Sequence, residues 1–260
     1  MIKAVIFDLD GTLVRTEELK ALSYARAAVS LVPHLSEGTI IDGYKDVVGL
    51  PRQEVSEYLV KKLILEGALQ SQMQGYKVDA PWKVLAEKHV EIYKVMIETP
   101  GLLDKYKCPY NVGLLEYVGR EGFLTGLATM SHRPDTHRVL EILGLNTLFN
   151  VIATREDIER GKPDPEIYLH VSRQLGVLPQ ESLVIEDSVN GIRSALAAGM
   201  ACLAVTSTIT RLSVHESGLV AKQWIVDDPA LLMTVARQMI ADRRVADNRS
   251  SLQPRVSHPS

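Results

Sequence analysis

Four short stretches of this chain hold side chains that could act on a charged, oxygen-rich substrate. Asp8-Leu9-Asp10-Gly11-Thr12 offers two carboxylates two residues apart. Thr129-Met130-Ser131 offers hydroxyls, Gly161-Lys162-Pro163-Asp164-Pro165 an ammonium, and Glu186-Asp187-Ser188 two more acids. Each has an ordinary explanation on its own: an Asp-Gly turn, a helix N-cap, a solvated turn lysine, two charges at a helix start. As a set they could do chemistry. Asp8, Asp10, Glu186 and Asp187 brought to one cleft would repel, since two unit charges ~4 Å apart cost about 4 kcal/mol at an effective dielectric near 20. Such a cluster takes up protons or a hard cation, and an all-oxygen donor set favours Mg²⁺. With Lys162 beside the metal, the site would suit a phosphoryl group.

The elements around these stretches would bring them to one edge. Ile2 to Phe7 is an apolar run too short for a helix, and it delivers Asp8 and Asp10 to the same side, because strand side chains alternate. Further strands are expected at Phe123–Thr129, Val151–Ala153, Leu183–Ile185, Ala201–Val205 and Trp224–Val226. Helical patterns lie between them: Asn111–Arg120, Pro134–Leu143, Asp164–Leu175 before Gly176, Ser188–Ala198 before Gly199, and Pro229–Ile240. Alternating strand and helix implies an α/β fold with right-handed crossovers and a parallel sheet covered on both faces. Open sheets of this kind bind ligands at the carboxyl ends of their strands.

Between the first strand and this alternation, residues 16–102 read as helical. Leu19, Leu22, Ala25, Ala28 and Val29 share one helical face, Pro51 opens a second helix, and a third covers roughly residues 80–98 before Thr99-Pro100-Gly101. The expected division is a core of residues 1–15 and 103–241 with a helical cap of residues 16–102 inserted by two crossings. Residues 242–260 lack apolar periodicity and read as a disordered tail.

At 260 residues, 46% hydrophobic and 23% charged, the chain has the composition of a soluble globular protein. A net charge of −3 provides no basic field for nucleic acid or an anionic membrane surface. No apolar run reaches the length of a membrane span, and the amino terminus lacks a signal-peptide pattern. Cys108 and Cys202 are far apart and have no metal-ligand spacing. The expectation is a cytoplasmic protein, a monomer or weak homo-oligomer.

The four stretches, in this order, resemble the four motifs of the haloacid dehalogenase (HAD) superfamily. A helical insert directly after the first motif resembles the β-phosphoglucomutase-like phosphatase branch. The resemblance implies a Rossmann-like sheet of strand order 5-4-1-2-3 and an inserted α-helical cap. It further implies that Asp8 is a nucleophile forming an aspartyl-phosphate, and that Asp10 is the general acid, then base. Thr129, the Met130 backbone N–H and Lys162 would bind phosphate. Mg²⁺ would be held by Asp8, the Asp10 carbonyl and Asp187, with Glu186 acting through a water. Ser131, one alternation beyond Thr129, is expected behind it.

The implied activity is hydrolysis of a small phosphorylated metabolite, with a sugar phosphate as one class. A phosphomutase of the β-phosphoglucomutase type is the alternative, and a non-catalytic ligand-binding protein of this fold is a third reading. Both Asp8 and Asp10 are present, which is unlike the carbon–halogen-cleaving members. Gly49-Leu50-Pro51-Arg52 resembles a substrate-facing cap loop, which makes Gly49 and Arg52 candidates, with a solvated helix-start arginine the equal alternative. Relatives often carry an acid and a histidine where this chain has Arg15 and Lys20; the missing histidine argues against mutase activity.

Overall fold

The structure, a computed structural model, describes the backbone of residues 1–251 and the side chains of residues 1–244. By internal contacts the chain divides into two units. One is Met1–Leu13 together with the chain from Cys108 onward, and the other is Val14–Lys107.

The first unit is built on a six-stranded sheet whose paired strands all run parallel: β1 (Ala4–Phe7), β2 (Leu124–Ala128), β3 (Val151–Ala153), β4 (Ser182–Glu186), β5 (Ala201–Val205) and β6 (Ile225–Val226). Their spatial order is β3-β2-β1-β4-β5-β6. Read from the other edge, this is the expected 5-4-1-2-3 order with β6 added beside β5. Every residue of β1, β4 and β5 is buried, as the unbroken apolar runs require when helices cover both faces of a parallel sheet.

The register matters most for function. Phe7 pairs with Leu127 on one side and Ile185 on the other, so Asp8, Ala128 and Glu186 reach the carboxyl edge at one level. Asp8 N–H continues the ladder to Ile185 O at 3.0 Å.

The helix Leu232–Ser251 runs through residues 242–251 of the expected tail. Apolar periodicity reports a packed face, whereas helix formation also follows from propensity. Ala and Arg are strong helix formers, no Gly or Pro interrupts, and Gln238 Nε2 donates to Asp242 Oδ1 one turn on at 2.7 Å. Residues 252–260 of the expected tail lie outside the described residues.

The second unit is helical, with main helices Thr16–Leu31, Glu37–Tyr44, Arg52–Lys62 and Pro81–Glu98. Glu37–Tyr44 was not evident as a helix in the sequence; Ser36 caps it by accepting from Thr39 N–H at 3.2 Å. Its core joins Tyr24, Ala28, Ile40, Tyr44, Leu59 and Leu85. Buried polar groups there are paired: Glu17 accepts from Lys20 Nζ at 2.8 Å and Tyr44 Oη at 2.6 Å, and Ser23 Oγ lies 2.7 Å from His89 Nδ1. The two ends of this unit are zipped together. Val14 pairs with Lys107 in an antiparallel bridge, and Arg15 N–H donates to Tyr106 O at 2.8 Å. Among the described residues, no helix is long and apolar enough to cross a membrane.

Candidate active site at the strand ends

Asp8, the residue after β1, is only 6% exposed. Lys162, 154 positions away, lies in the loop before the helix Glu166–Gln174 and donates to Asp8 Oδ1 at 2.7 Å. Its other two N–H positions go to Glu186 Oε1 at 2.6 Å and Ala128 O at 3.0 Å. A buried ion pair of this kind is costly unless its hydrogen bonds are met. Here the lysine's three donors have three acceptors.

Asp187 completes the cluster. One carboxylate oxygen from each of Asp8, Glu186 and Asp187 lies within 4.8 Å of the others. Gly11, with φ +89°, makes this approach feasible: a Cβ there would sit 2.1 Å from Asp187 Oδ2. The turn after Asp10 is held by Asn111, whose Nδ2 donates to Thr12 O at 2.6 Å.

Lys162 is shared between two of these carboxylates, Asp8 and Glu186. Burial, with Glu186 and Asp10 adding to it, pushes the Asp8 carboxyl up to about 7 against the pull of Lys162. Burial alone would lower the Lys162 pKa, but the Asp8 and Glu186 carboxylates outweigh it and hold the lysine above its ordinary value. The oxygen-only donors gathered here fit a hard divalent cation such as Mg²⁺.

Asp10 sits on the β2 side. Its Oδ2 accepts from Thr129 Oγ1 at 3.1 Å and from Ser131 Oγ, while Ser131 N–H donates to Thr129 Oγ1 at 3.0 Å. Thr129 is fully buried, and its hydroxyl proton is committed to Asp10. Ser131, expected only behind Thr129, reaches Asp10 as well.

The haloacid dehalogenase-like hydrolase family, compared as a sequence pattern, matches residues 5–205. This chain belongs to that family. Among curated relatives, the phosphorylated carbohydrates phosphatase of Thermotoga maritima is 31% identical over 198 residues, covering 76% of this chain and 82% of the relative. Hexitol phosphatase A of Escherichia coli is 28% identical, covering 84% and 89%. Among solved structures, β-phosphoglucomutase from Clostridium difficile shares the fold at a TM-score of 0.68 and 23% identity, covering 97% of this chain and 100% of that one.

Within this HAD framework the remaining candidates fall in different places. Met130 packs its side chain on the Lys162 loop, where a Cβ on Gly161 would lie 2.4 Å from Met130 Cε. Gly49, at φ +82°, and Arg52, which opens the helix Arg52–Lys62, belong to the helical unit and are exposed. The Arg52 carbonyl accepts from Ser56 Oγ at 2.8 Å. Arg15 works within the zipped ends of its unit: it donates to Lys105 O at 2.8 Å and lies over the Tyr106 ring, 5.5 Å from its centroid. Lys20 is paired with Glu17.

Sequence reasoning missed Asn111, Tyr168, whose hydroxyl donates to Glu186 Oε1 at 2.9 Å, and Gly191, where a side chain would strike Glu186. Tyr168 carried a signal, since a tyrosine on the inward face of a helix must place its hydroxyl on a partner. Asn111 and Gly191 carried none, because their roles exist only through contacts with Thr12 and Glu186.

Proposed function

We propose that the protein is a Mg²⁺-dependent phosphomonoesterase that hydrolyses a small phosphorylated metabolite, with sugar phosphates the leading class. One observation carries this reading: Lys162 bridges Asp8 and Glu186 inside a carboxylate cluster at the sheet edge. The phosphatases named among its relatives support the substrate class.

In the first step an Asp8 carboxylate oxygen attacks phosphorus and the bond from phosphorus to the ester oxygen breaks. Asp10, held by Thr129 and Ser131, gives its proton to the departing alkoxide. In the second, Asp10 takes a proton from water. That water attacks phosphorus, the aspartyl-phosphate bond breaks, and Asp8 returns with inorganic phosphate released. Lys162 and the backbone N–H of Met130 bind the phosphoryl oxygens. Asp8, Asp187 and the Asp10 carbonyl would hold Mg²⁺, which would supply positive charge to a dianionic phosphoryl group that four acids would otherwise repel.

A panel of phosphate esters tests the reading. Phosphate release should require Mg²⁺, stop on addition of EDTA, and disappear in Asp8→Asn. Turnover retained in that variant would sink the assignment. Conversion of a sugar 1-phosphate to an isomeric sugar phosphate, without free phosphate, would favour the mutase. Lys20 in place of the histidine of the mutases supports hydrolysis.

A further inference from the structure

Glu186 carries more hydrogen bonds than a carboxylate can keep while also binding a cation. Its Oε1 accepts from Lys162 Nζ at 2.6 Å and from the Tyr168 hydroxyl at 2.9 Å. Its Oε2 accepts from the backbone N–H groups of Asp187 at 2.9 Å and Ser188 at 3.0 Å, and from Ser188 Oγ at 3.1 Å. A carboxylate offers about four lone-pair positions, so these five donors leave none for a metal. The side chain is fully buried, pressed against the start of the helix Val189–Ala197 so closely that a Cβ on Gly191 would lie 1.7 Å from Oε1.

Tyr168 touches this arrangement at two points. It is completely buried on the helix Glu166–Gln174, its hydroxyl on Glu186 and its ring 5.0 Å from Lys162 Nζ. Glu186 can face either the lysine or a cation, and the phenol takes up a lone-pair position on Oε1, the oxygen that also holds the lysine. With Glu186 and the Ala128 carbonyl fixed, the third N–H of Lys162 is aimed at Asp8, where a phosphoryl group would arrive.

We propose that Tyr168 is a positioning residue: it reserves Glu186 for Lys162, so that Asp8 and Asp187 serve the cation and Lys162 serves the phosphate. This inference rests on the phosphatase reading and assigns Glu186 to the anion side of the site, not the metal side.

Tyr168→Phe keeps the ring and removes the donor. Calorimetric titration of the purified protein with Mg²⁺, then with inorganic phosphate at saturating Mg²⁺, separates the two sides. Phosphate affinity should fall about five- to tenfold, the worth of one hydrogen bond, with Mg²⁺ affinity within about twofold of wild type. Phosphate affinity unchanged within about twofold, or Mg²⁺ affinity shifting as far as phosphate affinity, would overturn the proposal. Glu186→Gln carries the test if Tyr168→Phe does not fold. It should weaken phosphate more than about tenfold and Mg²⁺ less than about threefold, and the reverse order rejects the assignment. Wild-type protein that neither binds phosphate nor hydrolyses any ester would refute the phosphatase reading. Normal wild-type behaviour with an unaltered Tyr168→Phe would refute this inference alone.

Discussion

Lys162 Nζ stands 2.7 Å from Asp8 Oδ1 and only 5% of its side chain is exposed. It is the ammonium that offsets the carboxylates at the end of β1. Replacing it with methionine keeps the volume and leaves Asp8 and Glu186 buried without a counter-charge. Breaking a buried pair in this way costs about 3–5 kcal/mol. The Lys162→Met variant should lose at least ~100-fold in kcat/KM, from the missing phosphate ligand. Urea unfolding and steady-state kinetics on the same preparation check both effects.

Gly191 admits no side chain. An added Cβ would fall 1.7 Å from Glu186 Oε1, so the carboxylate or the helix start must move. Gly191→Ala should therefore destabilise by about 1–3 kcal/mol, opposite in sign to an ordinary Gly→Ala change within a helix. It should also weaken phosphate binding. An unchanged melting temperature together with unchanged phosphate affinity would refute this account of the cradle.

Metal binding should appear as stability. A ligand at ~100 times its dissociation constant adds about 2.7 kcal/mol, so Mg²⁺ should raise the melting temperature by about 5–10 °C in a chain of this size. The Asp187→Asn variant should lose most of that gain. Equal stabilisation of both proteins by Mg²⁺ would place the cation elsewhere.

His89 makes the helical unit sensitive to acid. Its ring stacks on Tyr24 with centroids 3.7 Å apart, and burial, helped by the Arg52 and Lys20 cations, holds its pKa well below the ordinary value. The folded state then binds fewer protons than the unfolded one at mildly acidic pH. The contribution of the neutral ring is fully present above about pH 6.5 and is lost as pH falls below it, with a slope of at most ~1.4 kcal/mol per pH unit. Urea unfolding at several pH values between about 5 and 7.5 should show this slope in the wild type and a shallower one in His89→Gln.

Much of the site could be read from the chain before any coordinates. Asp8 and Asp10 after an apolar run of strand length could have been an ordinary turn; the strand ends at Thr129 and Glu186, placed by the same alternation, made the set readable. The helix over residues 242–251 could not be read that way, because periodicity in the sequence reports a packed apolar face and not helix propensity. Short helices such as Glu37–Tyr44 were hidden for a related reason: a Gly-containing stretch of one or two turns relies on its cap and its neighbours more than on propensity.

The sequence by itself determined which chemical groups arrive at the sheet edge, since strand periodicity and turn residues are local properties. Only the tertiary structure decided what each group is bonded to there. Lys162 and Asp8 are 154 positions apart, and Thr129 and Asp10 are 119 apart; the pairing of β1 with β2 brings Thr129 to Asp10, and the loop before Glu166–Gln174 brings Lys162 to Asp8. The same folding brings Lys162 and Tyr168 to Glu186, beside the donors that Asp187 and Ser188 already supply. Hydrogen-bond partnership depends on sub-ångström placement across strands, and residue type and spacing do not encode it. The DLDGT carboxylates were legible from the first line; the side chains that divide their labour were not.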